Sequence, residues 1–155
     1  MIVRPMRPGE ESACRALRGA LWPDCAEAMH DAELAAIAAA PDANAVLVAD
    51  VNGELAGFLE ASLRAHVDGC LSSPVGYIEG WYVAPGHRGR GIGAALVRAA
   101  ERWARDRGCR EMASDVELAN EGGQRAHRAL GYEETFRVVL FRRSIDDGGA
   151  GGALV

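Results

Sequence analysis

The spacing of apolar and polar positions changes several times along the chain, and each change marks an element. Ile2, Val3 and Met6 begin a short strand at 2–6, stopped by Arg7-Pro8-Gly9. Ala13, Cys14, Leu17, Ala20 and Leu21 then recur at helical spacing, which predicts a helix over 10–21 ended by Trp22-Pro23. Residues 24–29 read as a connector, and 31–40 as a second helix capped near His30-Asp31 and followed by Pro41-Asp42. Two β-rich runs, 45–51 and 55–65, flank Asn52-Gly53, the dipeptide that best fits a tight hairpin turn. The run 75–83 is a strand of β-formers (Val75, Tyr77, Ile78, Trp81, Tyr82, Val83) closed by Pro85-Gly86. Ile92, Leu96, Ala99 and Trp103 form one helical stripe, with Gly108 as the expected C-cap. A strand at 110–116 should run parallel to 75–83, because a helix crosses over between them. A helix at 120–130 ends at Gly131, and 134–143 is expected as a last strand, alternating Phe136, Val138 and Leu140 with Arg137, Val139 and Phe141. This order predicts a mixed α/β fold around one sheet. Residues 1–145 should form one domain, with Gly80 marking a bulge or close approach and 146–155 a flexible tail.

The turn between 83 and 92 carries the clearest chemistry. His87, Arg88, Gly89, Arg90, Gly91 and Gly93 lie between a strand and a helix N-terminus. The free N–H groups of a first helical turn and the helix dipole favour an anion there, and glycines let backbone approach it closely. Arg88 and Arg90 add donors suited to phosphate oxygens. A Walker A loop would need a Gly-Lys-Ser/Thr ending, and the chain contains no lysine. A dinucleotide fingerprint opening at Gly91 would need a small residue where Leu96 stands. A plain strand-to-helix turn is the alternative reading of the same residues.

Composition narrows the partners. The chain has 155 residues, 49% hydrophobic and 25% charged, with a formal net charge of −5. That balance suits a globular domain and argues against a nucleic-acid partner, which would want a basic face. No apolar run is long enough for a membrane span, and the N-terminal residues lack a signal-peptide core, so a cytoplasmic protein is expected. The four cysteines, Cys14, Cys25, Cys70 and Cys109, lack metal-ligand spacing, so free thiols and no metal are expected.

Ligands of open sheets sit where parallel strands part, here between 75–83 and 110–116. Glu79 and Asp115 fall at that crevice. Two carboxylates there suit an ammonium group and offer a base; solvated strand ends are the alternative. His127, two helical turns after Asn120, is either a proton donor or a packing residue. Cys109, at the start of its strand, reads as core.

Arg88-x-x-Gly91-x-Gly93, preceded by Val83-x-Pro85, resembles the acyl-CoA loop of the GNAT superfamily of N-acetyltransferases. Longer segments are similar to its bacterial aminoglycoside 6′-N-acetyltransferases: Leu21-Trp22-Pro23, Gly69-Cys70-x-Ser72-Ser73-Pro74, Glu79-Gly80, the run 109–115 and the run 129–135. The resemblance implies a mostly antiparallel sheet with a parallel pair splayed at the acetyl-CoA site. It implies acetyl transfer to the 6′-amine of aminoglycosides in a ternary complex, and a homodimer. It places acetyl-CoA contacts at Trp81, Tyr82, Val83, Arg88, Gly89, Arg90, Gly91, Ile92, Gly93, Ala94 and Asn120, and aminoglycoside contacts at Trp22, Glu79 and Asp115. His127 also matches that branch. Cys25, His66 and Phe136 depart from it, where the pattern has His, Tyr and Glu. Another amine substrate, such as a polyamine, small metabolite or peptide N-terminus, is the alternative; a CoA-binding module without activity is a third.

Overall fold

The computed structural model describes residues 1–145; the tail expected at 146–155 lies outside the described residues. Five strands follow one another across a single sheet: β1 (Ile2–Pro5), β2 (Asn44–Val51), β3 (Glu54–Arg64), β4 (Val75–Val83) and β5 (Met112–Ser114). The first four pair antiparallel, and β4 pairs parallel to β5. The β2–β3 hairpin turns at Asn52 and Gly53, both with positive φ, as that dipeptide permits.

Each face of the sheet carries its own helices. Helix α3 (Ile92–Arg105) covers one face, its Leu96, Val97 and Ala100 packed on Leu47, Leu59, Ala61 and Ile78. The expected stripe is thus rotated slightly, with Ala99 and Trp103 at its margin. Helices α1 (Glu11–Leu21) and α2 (Glu27–Ala39) cover the other face, where Cys14, Leu17 and Leu34 meet Val46, Val48 and Phe58. Cys109 is buried, as core. Helix α4 (Glu121–Ala129) follows β5.

Three boundaries differ from expectation. Helix α2 starts four residues early, because His30 and Glu33 are drawn to the buried Arg18 of α1 and the intervening turn becomes helical. Strand β5 keeps only three residues. Just before it, the Glu111 carboxylate instead holds the preceding loop, accepting from Leu71 N at 2.8 Å and Ser72 N at 2.6 Å. The expected strand at 134–143 does not form: Val138, Val139, Leu140 and Phe141 are exposed and have no strand partner among the described residues.

Candidate active site

Strands β4 and β5 stay together only from Gly76 to Ile78, opposite Met112 to Ser114. On the other side of β4 the pairing with β3 slips between Glu60 and Ala61, so Glu79 is the extra residue of a β-bulge beside Gly80. Pairing of β4 with β5 ends at that bulge, leaving a gap after Ile78 and Ser114, which Glu79 and Asp115 follow in sequence. Neither carboxylate stands alone. Glu79 Oε1 accepts from Ser62 Oγ at 2.5 Å and Arg64 Nε at 3.2 Å, and Oε2 accepts from Arg64 Nη2 at 2.8 Å. The Arg64 guanidinium lies 3.4 Å over the Tyr77 ring, and Tyr77 Oη donates to Asp115 Oδ1 at 2.5 Å. Burial, then the Asp115 hydrogen bond, pushes the Tyr77 phenol up and keeps it a donor. The two predicted carboxylates are thus joined through Arg64 and Tyr77, which sequence reasoning missed. Tyr77 alternates with Ile78 on a strand and gave no signal beyond a core aromatic.

The glycine-rich loop closes the end of the gap. Beyond Ile78 no strand among the described residues pairs with the β5-side edge of β4, which leaves backbone groups along Trp81 to Val83 without a strand partner there. Arg88 folds back, donating from Nε to Val83 O at 2.9 Å with its guanidinium 5.5 Å from the Tyr82 ring. Gly89 and Gly91 have positive φ, with open space where a side chain would stand. Gly91 is the N-cap of α3 and no side chain caps the helix, so the N–H groups of Ile92, Gly93 and Ala94 have no helical acceptor. An uncapped helix start beneath open glycines fits the pyrophosphate of an acyl-CoA. Gly93 has a second reason to be glycine: a Cβ there would sit 2.8 Å from Trp81 Cζ2. Ile92 points the other way, into the core.

Behind the gap, the His127 ring meets Trp81 edge-on at 5.4 Å and Tyr132 at 5.7 Å. His127 Nδ1 donates to Gly123 O at 2.7 Å, while Nε2 is 2.9 Å from Ser114 Oγ. The neutral ring therefore accepts from the Ser114 hydroxyl. Ser114, at the last position of β5, is a second residue the sequence did not flag. Asn120 caps α4, its Oδ1 accepting from Gly123 N at 2.8 Å.

Trp22 caps the end of α1 and packs against the bulge; a Cβ on Gly80 would come within 2.4 Å of its Cη2. Phe58 meets it edge-on at 6.0 Å, and Arg18 lies 4.9 Å from the ring centroid. Arg18 is buried and donates to Glu60, Glu33 and His30 Nδ1. Burial pushes the Glu60 carboxyl up against the pull of Arg18. Cys25, His30 and Glu33 offer donor atoms within 4.8 Å of one another. The set does not suit a metal, because Arg18 already claims Glu33 and donates to His30 Nδ1, leaving the neutral ring's proton on Nε2.

Trp22 therefore lies against Gly80, the neighbour of Glu79 in sequence, and His127 packs on Trp81. His66 is exposed on the loop before β4, 3.3 Å from Asp68, and Phe136 is 64% exposed. A cavity of about 800 Å³ lies between β5, the end of α4 and the segment after Tyr132; Ser114, Asp115 and His127 line it, but not Glu79 or the glycine-rich loop.

The Acetyltransferase (GNAT) family profile matches residues 11–132. An aminoglycoside N(6′)-acetyltransferase type 1 from Klebsiella aerogenes is 42% identical over 147 residues, covering 93% of this chain and 97% of that protein. The protein of the same name from Stenotrophomonas maltophilia is 43% identical over 145 residues, covering 93% and 94%. Among solved structures, AAC(6′)-Iy in complex with the bisubstrate analogue CoA-S-monomethyl-acetylneamine is similar with a TM-score of 0.88 at 41% identity, covering 92% of this chain and 97% of that one. Apo AAC(6′)-IG from Acinetobacter haemolyticus has a TM-score of 0.88 at 38% identity, covering 94% and 100%.

Proposed function

Since the chain belongs to the GNAT acetyltransferase family, and within it to the aminoglycoside 6′-N-acetyltransferases, we propose that it transfers the acetyl group of acetyl-CoA to the 6′-amine of aminoglycoside antibiotics. The observation that carries this reading is the pair Glu79 and Asp115, at the gap where β4 leaves β5, with the uncapped start of α3 at its end. Acetyl-CoA supplies the acetyl thioester. The residues of the chain do the rest. The N–H groups of 92–94, Gly89, Arg90 and Gly91 hold the pyrophosphate, and Arg88 fixes the loop to Val83. The unpaired edge of Trp81 to Val83 accepts the pantetheine arm as an added strand. One of those N–H groups polarises the acetyl carbonyl.

Amines are mostly protonated near neutral pH, so the attacking amine must lose a proton first. Glu79 and Asp115 bind the ammonium groups, and a carboxylate, directly or through water, takes the proton. Trp22 forms the apolar wall for the sugar ring. His127 delivers a proton to the departing thiolate only as the imidazolium, by way of Ser114. Attack is direct, within a ternary complex; Cys109, the cysteine just before β5, is buried as core.

The remaining expectations belong to the same proposal. Residues 1–145 act as one catalytic domain in the cytoplasm; among the described residues no helix is long and apolar enough to cross a membrane. The active form is a homodimer, supported by the exposed apolar segment after Tyr132 beside the unpaired outer edge of β5.

Thiol release from acetyl-CoA, measured with kanamycin, tobramycin, spermidine and a peptide N-terminus in turn, tests the reading. Aminoglycoside-dependent turnover with acetylation at the 6′-amine is expected. Turnover with spermidine or the peptide alone would replace the substrate, and binding of acetyl-CoA without turnover would remove the enzyme.

A further inference from the structure

Arg18 of α1, His30 of α2 and Glu60 of β3 are buried polar side chains from three different elements. The Arg18 guanidinium joins them, and each of its nitrogens has its own acceptor. Nη1 donates to Glu60, Nη2 to Glu33 of α2, and Nε to His30 Nδ1 at 3.2 Å. A buried ion pair is a weak source of stability, because taking both charges out of water costs about as much as their attraction returns. What the guanidinium supplies is geometry: its donors point in fixed directions in one plane, so they set where three acceptors stand.

That geometry converges on Trp22. Trp22 is the C-cap of α1, with φ −123° and ψ 72°, so its backbone has already left the helix. Its ring is held by its surroundings. The Arg18 guanidinium is 4.9 Å from the ring centroid, and the His30 ring stacks on it at 6.5 Å with the planes 28° apart. Phe58 meets it edge-on at 6.0 Å. Ring atoms Cη2 and Cζ2 rest on Gly80, where a Cβ would come within 2.4 and 2.6 Å. Gly80 is the β4 partner of Glu60, at the slip in register that makes Glu79 the extra residue. The cluster therefore touches the ring through Arg18 and His30, and through Glu60 it meets the strand position on which the ring rests.

We propose that Arg18 is a positioning residue for the amine substrate: held by Glu60, Glu33 and His30, it fixes the Trp22 ring on Gly80, beside the bulge that carries Glu79. The proposal rests on the assignment of Trp22 as the apolar wall for the sugar ring. Arg18 is 1% exposed, too enclosed to touch either substrate, so it acts through Trp22 alone. Without it the ring turns more freely and the amine loses its orientation, while the acetyl-CoA side is untouched.

The test is Arg18→Met combined with Glu60→Met, which replaces the pair by apolar side chains and leaves neither charge buried alone. Glu33, with its side chain 50% exposed, is left to water. Fluorine NMR of the full chain grown with fluorotryptophan gives one line each for Trp22, Trp81 and Trp103, assigned with single Trp→Phe variants. In the double variant the Trp22 line should shift or broaden while the Trp103 line stays in place, a readout that needs no substrate. KM for kanamycin should rise ~10-fold at unchanged KM for acetyl-CoA, since a misplaced wall costs orientation. In a Trp22→Leu background the same two substitutions should change that KM by less than about twofold. Arg18→Lys keeps a charge beside Glu60 but has no planar fork; it should raise the kanamycin KM severalfold, and it decides alone if the double variant does not fold. An unmoved Trp22 line, an equal rise in both KM values, or an undiminished effect in the Trp22→Leu background would overturn the proposal. A parent chain inactive on kanamycin would instead remove the aminoglycoside reading and leave the Trp22 line to judge Arg18.

Discussion

At the scale of single residues, function rests on groups that are already partnered before any substrate arrives. Asp115 takes a hydrogen bond from Tyr77, and Glu79 takes several from Ser62 and Arg64. Such contacts orient the carboxylates, which is what binding an ammonium requires. Asp115→Asn is expected to lower kcat/KM for aminoglycosides ~10-fold or more, with KM for acetyl-CoA unchanged, because a charge-assisted bond contributes about 1.5–3 kcal/mol. Steady-state kinetics with each substrate varied would check it, and an equal loss on the acetyl-CoA side would move Asp115 out of the amine site. The histidine argument has its own test. If His127 works through Ser114, Ser114→Ala and His127→Ala should lower kcat by similar factors, and the double variant should be no worse than either single one. A rise in KM for acetyl-CoA at unchanged kcat would leave His127 as the packing partner of Trp81. Sequence reasoning reached Glu79, Asp115 and His127 because strand ends and motif matches point there. It missed Arg64, Tyr77 and Ser114, because their roles depend on a cross-strand approach that no local pattern encodes.

At the scale of elements, the strand–turn–helix order around the glycine-rich loop was legible, since positive φ and a helix start leave few choices of amino acid. One reading changes: Gly93 makes room for Trp81 as well as for a phosphate. Gly93→Ala should therefore cost about 1–3 kcal/mol in stability through overpacking, seen as a lower thermal midpoint without ligand. An unchanged midpoint would show that the ring moves freely. Helix boundaries were less legible. The start of α2 depends on a buried arginine twelve residues away from His30, and propensity cannot register such a pull. The start of α1 is tied by charge instead: Glu10 accepts from Arg4 and from Arg7 N, and Arg4 also bridges to Asp50. These contacts, the Arg4 hydrogen bond foremost, depress the Glu10 carboxyl from 4.5 to about 2. A depressed carboxyl adds stability that is present above pH 4.5 and is lost as pH falls toward about 2. Glu10→Gln should be less stable than the parent at neutral pH, with the difference shrinking as the pH drops through that window. Denaturant titrations at several pH values would show it, and a constant difference would sever the link to Arg4.

At the scale of the whole molecule, the single mixed sheet and the parallel pairing of β4 with β5 followed from the apolar periods and the crossover helix, but the last expected strand did not form. The pattern at 134–143 is that of a strand, and the described residues offer it no strand partner. Phe136, Val138, Val139, Leu140, Phe141 and Ile145 are all exposed, while Glu134 and its pairings with Arg128 and Arg137 hold only the first residues. An exposed apolar run beside an open sheet edge is a liability that a soluble chain covers. In the homodimer proposed above a second copy would cover it without any new sequence, each copy offering the same segment and the same β5 edge about a two-fold axis. This pairing would also bring residue 136 near a carboxylate site, since Asp115 and Phe136 line one cavity. Val139→Asp with Phe141→Asp should therefore give a 16.4 kDa monomer by light scattering, against a species of twice that mass for the parent chain. Phe136→Glu should keep the dimer and lower KM for aminoglycosides, since it adds a carboxylate where a polycation binds. That gain should shrink as salt rises, because a partly exposed pair is screened within about 10 Å at 0.1 M. A parent chain that stays monomeric at micromolar concentration would leave the segment without its partner, and a Phe136→Glu effect that ignores salt would separate that residue from charge recognition.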